Sequence, residues 1–199
     1  MKHTILFLHG FFASGSCIPA QALKAYFQDK AEVLTPDLPL HPYEALAFIQ
    51  QICDKEHPHL LIANSNGSFL GQIIASKNHL PALLGNPHLE MTRFLSDRMG
   101  VHQYKTSRAN GHQELIIDQP LIDEFAEVQE HQWDYAGSAD PELIWGLFGE
   151  KDTLAHYEPL FLEHYKHAFH FPGDHTPTAE EVKNYYAPLA EQLHEKSKR

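Results

Sequence analysis

Residues 59–70 read HLLIANSNGSFL, and this stretch decides the fold class. It opens with an apolar run over 59–63, which predicts a buried strand. Residues 64–67 are typical of a turn, and 68–77 then predict a helix with apolar residues at helical spacing. A strand that passes through a tight turn directly into a helix is the repeating unit of a parallel α/β sheet.

The same alternation of strand and helix continues on both sides of this stretch. Short apolar runs predict further buried strands at 4–8, 31–35, 80–84, 143–148 and 166–171. Helical spacing predicts helices at 19–29, 43–54 and 179–196. We therefore expect one compact α/β domain over 1–199, with a mostly parallel central sheet covered by helices on both faces. Residues 88–139 show no clear β-α unit and predict a cap or insertion over the sheet.

Ser65 has the surroundings of a catalytic nucleophile. The small residues Ala63 and Gly67 stand two positions before and after it, and a strained strand-to-helix turn requires them because it has no room for larger side chains. Such a turn also puts the serine at a helix N-terminus, where developing negative charge is favoured. The alternative is an ordinary turn serine, because Asn, Ser and Gly are common in turns.

A serine hydroxyl needs an imidazole base, and the base needs a carboxylate that fixes its tautomer. Asp152 follows the predicted strand 143–148, and His175 follows the last predicted strand in the sequence Gly-Asp-His. Glu150 is the nearest competitor for the acid. The chain has 16 histidines, so position alone singles out His175. The order Ser65, Asp152, His175 is the one expected for strand-end loops of a hydrolase sheet.

The segment His9-Gly10-Phe11-Phe12 directly follows the first predicted strand. In hydrolases of this type that loop supplies one backbone N–H to an oxyanion hole, and the residue after the nucleophile supplies another. We expect Phe11, or its neighbour Phe12, and Asn66 in this role. Residues expected to contact substrate are His9, Gly10, Phe12, Met91 and Phe94. For His9 the alternative is a loop residue packed under the site, and for Met91 and Phe94 it is ordinary core packing.

The predicted insertion carries several of the chain's 15 cations, although the formal net charge is -11. They are placed to meet an anionic leaving group such as a coenzyme A phosphate, and the alternative is a solvated face. These cations are Arg93, Arg98, Lys105 and Arg108.

The motifs resemble those of the small bacterial YqiA/YcfP-like esterases of the α/β-hydrolase superfamily. The matching stretches are LFLHGF at 6–11, ANSNG at 63–67, Asn86-Pro87, LIW at 143–145, Asp152 and GDH at 173–175. The resemblance covers nearly the whole chain. It implies cofactor-free hydrolysis of carboxylic esters or acyl thioesters, with Ser65, Asp152 and His175 as nucleophile, acid and base. Ala63 in place of the usual glycine, and the asparagines on both sides of Ser65, depart from the pattern and put the substrate preference in question.

Composition bounds the partners and the compartment. The acidic balance works against a nucleic-acid partner, and no apolar run reaches membrane-spanning length. The chain starts without the apolar core of a signal peptide, and two cysteines cannot form a disulfide framework, so we expect a cytoplasmic protein. The expected partner is a small acyl ester or thioester, and a homodimer is left open.

Two other functions remain to be weighed. A metal-binding protein is suggested by His164, His167 and His170 at intervals of three, but no HExxH or CxxC pattern accompanies them, so we expect no metal or other cofactor. A catalytically inactive relative that acts as a binding module is the second alternative, because a fold does not guarantee an activity.

Overall fold

The computed structural model describes residues 3–138 and 140–198. Within them the strands, in chain order, are β1 (His3–Leu8), β2 (Ala31–Leu34), β3 (Leu60–Asn64), β4 (Ala82–Gly85), β5 (Gly100–Gln103), β6 (Glu114–Ile117), β7 (Ile144–Gly149) and β8 (His167–Phe171). The α-helices are α1 (Ile18–Phe27), α2 (Pro42–Glu56), α3 (Asn66–Asn78), α4 (Met91–Ser96), α5 (Gln119–Glu130), α6 (Glu158–Leu162), α7 (Ala179–Glu181) and α8 (Ala187–Ser197).

Six strands form the central sheet in the order β2-β1-β3-β4-β7-β8, and every neighbouring pair is parallel. The strands are apolar because both faces of the sheet are covered. Leu61 and Ala63 of β3 belong to one core cluster, and Leu60 and Ile62 belong to the other, as the alternation of side chains along a strand requires. The predicted fold class, a mostly parallel sheet between two helical layers, is confirmed.

The two helical layers differ in origin. One core cluster joins the sheet to α2, α3 and α5 through residues such as Ile49, Phe69 and Phe125. The other joins it to α1 and the C-terminal helices through residues such as Leu23 and Leu193. Truncating a fully buried leucine of this kind to alanine costs about 2–5 kcal/mol, so each layer fixes the sheet that carries the site.

In the described part of the segment between β4 and β7 lie α4, α5, a 3₁₀ turn at Ala136–Ser138 and an antiparallel hairpin made of β5 and β6. Helix α5 begins with a side-chain cap, because the Asp118 carboxylate accepts the Leu121 N–H at 3.1 Å. Its apolar face, including Phe125, packs into the core cluster beside α3. The predicted C-terminal helix over 179–196 is interrupted, because Val182–Tyr186 form a π-helical turn. Such turns reposition side chains, and this one buries Tyr186 completely.

Candidate active site

Ser65 lies on a strained turn between β3 and α3. Its backbone adopts φ 57°, a positive value that non-glycine residues rarely adopt. A Cβ atom on Gly67 would lie 2.2 Å from the Leu8 carbonyl oxygen, so only glycine fits there. Gly71, one helical turn later, leaves room for β3, because a Cβ there would lie 2.9 Å from Leu61 Cδ2. The small residues are therefore steric requirements of this turn.

The structure brings Ser65, His175 and Asp152 into one hydrogen-bonded chain. The Ser65 Oγ and His175 Nε2 atoms are 2.7 Å apart, and His175 Nδ1 is 2.8 Å from Asp152 Oδ2. Because a carboxylate only accepts, Nδ1 carries the proton and Nε2 is left to accept the serine O–H. The three side chains come from the carboxyl ends of β3, β7 and β8, which lie along one edge of the sheet.

Asp152 is held as an anion although it is 5% exposed. Burial raises the pKa of a carboxyl group, but the hydrogen bond and charge of His175, with two backbone N–H donors, outweigh it and lower the pKa of Asp152. Those donors are the N–H groups of Leu154 and Ala155, both bonded to Oδ1 at 2.7 and 3.2 Å. The other oxygen, Oδ2, is thereby directed at the imidazole.

Two buried asparagines fix the loop that carries His175. The Asn86 amide donates to the carbonyl oxygens of Asp174 and His175 at 3.1 and 2.9 Å, and its Oδ1 accepts the Gly149 N–H at 2.7 Å. The Asn64 amide also donates to the His175 carbonyl, at 3.2 Å. These positioning residues were not predicted as site residues, although the Asn86-Pro87 motif after β4 was a signal for one of them.

The unusual Asn64 has a second partner that anchors it. Its Oδ1 accepts the hydroxyl proton of Tyr186 at 3.0 Å, and burial raises the pKa of that phenol well above its ordinary value. A Cβ on Gly85 would lie 2.2 Å from the Tyr186 hydroxyl oxygen, so the last residue of β4 can have no side chain if the Tyr186 ring is to pack there. The π-helical turn of the C-terminal segment thus supports the His175 loop through one asparagine.

The backbone N–H groups that we expect in an oxyanion hole are those of Phe11 and Asn66. Asn66 is the first residue of α3, where N–H groups have no intrahelical acceptor. Among the described residues, no backbone hydrogen bond uses the N–H of either Phe11 or Asn66. Gly10 lies close to Ser65, because a Cβ on Gly10 would lie 3.4 Å from that of Ser65. Both N–H groups therefore belong to segments that border Ser65.

A cavity of about 570 Å³ opens over Ser65 and His175. Besides these two, four residues that the sequence placed at the site line it: Gly10, Phe11, Phe12 and Phe94. Some lining residues were not assigned to the site from the sequence, and these include Ile18, Thr106, Thr153 and Leu154. Two of the cations from the segment between β4 and β7, Arg98 and Lys105, line it as well.

His9 and Met91 do not line this cavity, which corrects their expected role as substrate contacts. The His9 ring turns into the protein, where Nδ1–H donates to the Gly10 carbonyl at 2.8 Å and Nε2 accepts the Leu38 N–H at 2.9 Å. Burial lowers the pKa of His9 to about 4, so the ring is neutral at pH 7. Met91 is 1% exposed and lies in the core cluster. Both side chains are buried and face away from the cavity.

The histidines spaced three apart do not converge. His164 stacks on Trp133 at 3.8 Å between ring centroids, whereas His167 and His170 each pair with a glutamate at 2.8 and 2.9 Å. Across residues 3–138 and 140–198, no group of three or more His, Cys, Asp or Glu side chains is arranged to hold a metal ion. No helix in the same ranges is long and apolar enough to cross a membrane.

Residues 4–175 match the model of the family described as Uncharacterised protein family (UPF0227). The chain belongs to this family. UPF0227 is the YqiA/YcfP-like family that the motifs resemble, so the resemblance is confirmed. The matched range of the UPF0227 model contains Ser65, Asp152 and His175. Among curated proteins, no significant match was found.

Solved structures similar to this UPF0227 chain share its architecture. The monoacylglycerol lipase of Paleococcus ferrophilus has a TM-score of 0.71 at 15% identity, covering 96% of this chain and 94% of that one. A structure of the metagenome-derived lipolytic enzymes LipS and LipT has a TM-score of 0.71 at 16% identity, covering 100% and 94%. Est1E from Butyrivibrio proteoclasticus has a TM-score of 0.66 at 12% identity, covering 98% and 87%. At these identities the similarity establishes the α/β-hydrolase fold.

Proposed function

We propose that this protein is a serine hydrolase that cleaves carboxylic esters or acyl thioesters through an acyl-enzyme intermediate. The observation that carries the proposal is the chain of two short hydrogen bonds from Ser65 through His175 to Asp152. It joins Ser65, on a turn strained to φ 57°, to the buried carboxylate of Asp152, whose pKa is lowered. Strain and a buried ion at one point of a cleft are typical of catalytic sites.

In the proposed cycle, His175 Nε2 removes the Ser65 proton as Oγ attacks the substrate's acyl carbon. The negative charge that forms on the carbonyl oxygen is held by the backbone N–H groups of Phe11 and Asn66, and losing one such donor costs about 3 kcal/mol. The imidazolium returns its proton to the leaving alkoxide or thiolate. Water, deprotonated by the same nitrogen, then attacks the acyl-enzyme, and Oγ departs with that proton.

The role of Asp152 in this cycle is electrostatic. Its anionic Oδ2 accepts the Nδ1–H bond of His175 and stabilises the imidazolium that forms in both steps. The two backbone N–H bonds to Oδ1 keep the carboxylate from rotating away. No step requires a cofactor.

The cavity supports an acyl substrate. Phenylalanines at 11, 12 and 94 form one apolar wall, with ring centroids of successive pairs 5.1 to 6.3 Å apart. Such a wall is suited to burying an acyl chain beside the nucleophile. The structural neighbours from Paleococcus ferrophilus, a monoacylglycerol lipase, and from metagenomes, lipolytic enzymes, agree with this reaction class.

The test is hydrolysis of p-nitrophenyl butyrate and of a short acyl thioester by the wild type and the Ser65→Ala variant. We expect wild-type turnover of at least one substrate and loss of about 10⁴-fold or more in the variant. Ser96→Ala, which removes an exposed serine on α4, is the matched control and should keep full activity. Equal turnover by the Ser65→Ala variant would show that the reaction does not use this serine.

A further inference from the structure

Two cations line the cavity that contains Ser65, in a chain whose formal net charge is -11. They are Arg98, which follows α4, and Lys105, which follows β5. A positive wall in an acidic protein does not arise from the average composition. It concentrates anions at one point, because a cleft with apolar walls strengthens the local field.

The fold holds the Arg98 guanidinium and the backbone of Lys105 beside the aromatic wall. The Arg98 guanidinium donates to the Phe94 carbonyl at 2.9 Å and lies 4.1 Å from the centroid of the Phe94 ring. The Lys105 backbone N–H donates to the Phe12 carbonyl at 2.7 Å, which ties it to the loop after β1. Its Nζ lies 5.9 Å from the Phe12 ring centroid. Each cation therefore flanks one aromatic ring of the cavity wall.

The loop that carries Lys105 is bonded to the loop of the oxyanion hole at a second point. The buried Ser14 hydroxyl lies 2.8 Å from Thr106 Oγ1 and donates to the Ser107 carbonyl at 2.9 Å. Asp37 adds a third tie, because its carboxylate accepts the Ala109 N–H at 2.7 Å. The backbone of the segment that carries Lys105 is thus tied to the loop that follows β1.

Within the described ranges, neither Arg98 nor Lys105 forms an ion pair with a carboxylate. Arg108, from the same segment, is instead used structurally, since it donates to the Leu38 carbonyl and lies over the Tyr104 ring. One carboxylate, Asp174, also lines the cavity, but it belongs to the His175 loop and accepts the His175 N–H at 2.7 Å. Within the described ranges, Arg98 and Lys105 therefore lie beside the aromatic wall without a carboxylate partner.

We propose that Arg98 and Lys105 bind an anionic group of the substrate, a carboxylate or a phosphate, at the end of the molecule that lies along the Phe12–Phe94 wall. This inference rests on the proposed serine hydrolase activity and names its substrate class: acyl esters or thioesters that carry a negative charge remote from the scissile bond. Guanidinium and ammonium groups together match the oxygens of such an anion, and charge-assisted hydrogen bonds to it are the strong ones.

The test compares three p-nitrophenyl esters with acyl chains of equal length: a neutral one, one ending in a carboxylate and one ending in a phosphate. The readout is the ratio of kcat/KM for each anionic ester to that for the neutral ester. We expect the wild type to favour at least one anionic ester, and which one it favours identifies the anion. Arg98→Gln and Lys105→Gln should each lower that ratio about fivefold through KM, and the double variant about tenfold or more.

Arg93→Gln is the matched control, because Arg93 is exposed on α4 and does not line the cavity. It should leave the ratio unchanged. Raising the salt concentration should lower the ratio in the wild type and not in the double variant, since screening acts on the ion pair. A wild type with no preference for either anionic ester, or a preference that survives in the double variant, would overturn the proposal. Absence of turnover with all three esters would instead contradict the hydrolase activity itself.

Discussion

Asp152→Asn should disable the base by reversing the tautomer of His175. In the wild type, Asp152 Oδ1 accepts two backbone N–H groups, from Leu154 and Ala155. An asparagine must keep its only oxygen on those donors, so its NH₂ group faces Nδ1 of the histidine. Nδ1 then becomes the acceptor and the ring proton moves to Nε2, which can no longer take the proton of Ser65.

The loss is set by this change of tautomer, since the swap preserves volume. Loss of the base in this manner lowers kcat by about 10⁴, equivalent to about 5.5 kcal/mol of transition-state stabilisation. The assay is kcat/KM on p-nitrophenyl butyrate, with circular dichroism to check folding. Glu150→Gln is the matched control, because Glu150 is exposed on the same loop and should retain wild-type activity. The tautomer argument is refuted if Asp152→Asn keeps more than about a tenth of wild-type kcat, or if Glu150→Gln loses activity instead.

Gly67→Ala should destabilise the fold by about 3 kcal/mol, because the new Cβ would lie 2.2 Å from the carbonyl oxygen that ends β1; Gly137→Ala meets no atom within 4 Å and is the control in urea unfolding. Asn86→Asp keeps the acceptor but loses both amide donors to the loop that carries His175, so kcat should fall about tenfold or more. An unchanged kcat would show that these hydrogen bonds do not position His175. Burial is the main reason that the pKa values of His9 and His88 are lowered to about 4. As the pH falls, these two histidines are therefore protonated in the unfolded chain before they are protonated in the folded one. The free energy of unfolding is at its full value well above pH 6.5 and should fall by about 2 kcal/mol per histidine between pH 7 and pH 5. A free energy of unfolding in urea that does not change over this pH range would show that these rings are solvated.

The strands and the strained turn at Ser65 were predictable because the residues that determine them are close together in sequence. Residues 59–70 contain the apolar run, the small flanking residues and the helical spacing within one short stretch. The loops of Asp152 and His175 follow apolar runs of the same type, and parallel strands place those loops at one edge. The order of the residues along the chain and their positions after predicted strands were therefore enough to predict that Ser65, Asp152 and His175 lie close together.

The surroundings of the site depend on contacts between distant segments, which no local pattern records. Asn64 departed from the family pattern in sequence, and only the fold shows that it joins the His175 loop to Tyr186. The π-helical turn that positions Tyr186 was invisible because helical spacing continues across it. The cations of the segment between β4 and β7 were recognised as a group, but which of them line the cavity follows from the hairpin and its ties.

His9 and Met91 illustrate a second limit of sequence reasoning. His9 directly precedes Gly10, which lines the cavity, and Met91 lies at near-helical spacing from Phe94, which also lines it. A side chain's direction depends on its backbone and packing partners, and both side chains here turn inward. A residue's place along the chain therefore does not determine whether its side chain lines the cavity.

The most direct test of the central claim is mass spectrometry of the intact protein after treatment with a fluorophosphonate, followed by peptide mapping. An activated serine forms a covalent phosphonyl adduct, whereas ordinary serine hydroxyls do not react. We predict one adduct on the wild type, mapped to Ser65, and none on Ser65→Ala or His175→Ala. A wild type that takes up no label, or an adduct that persists in Ser65→Ala, would contradict the assignment of Ser65 as the nucleophile.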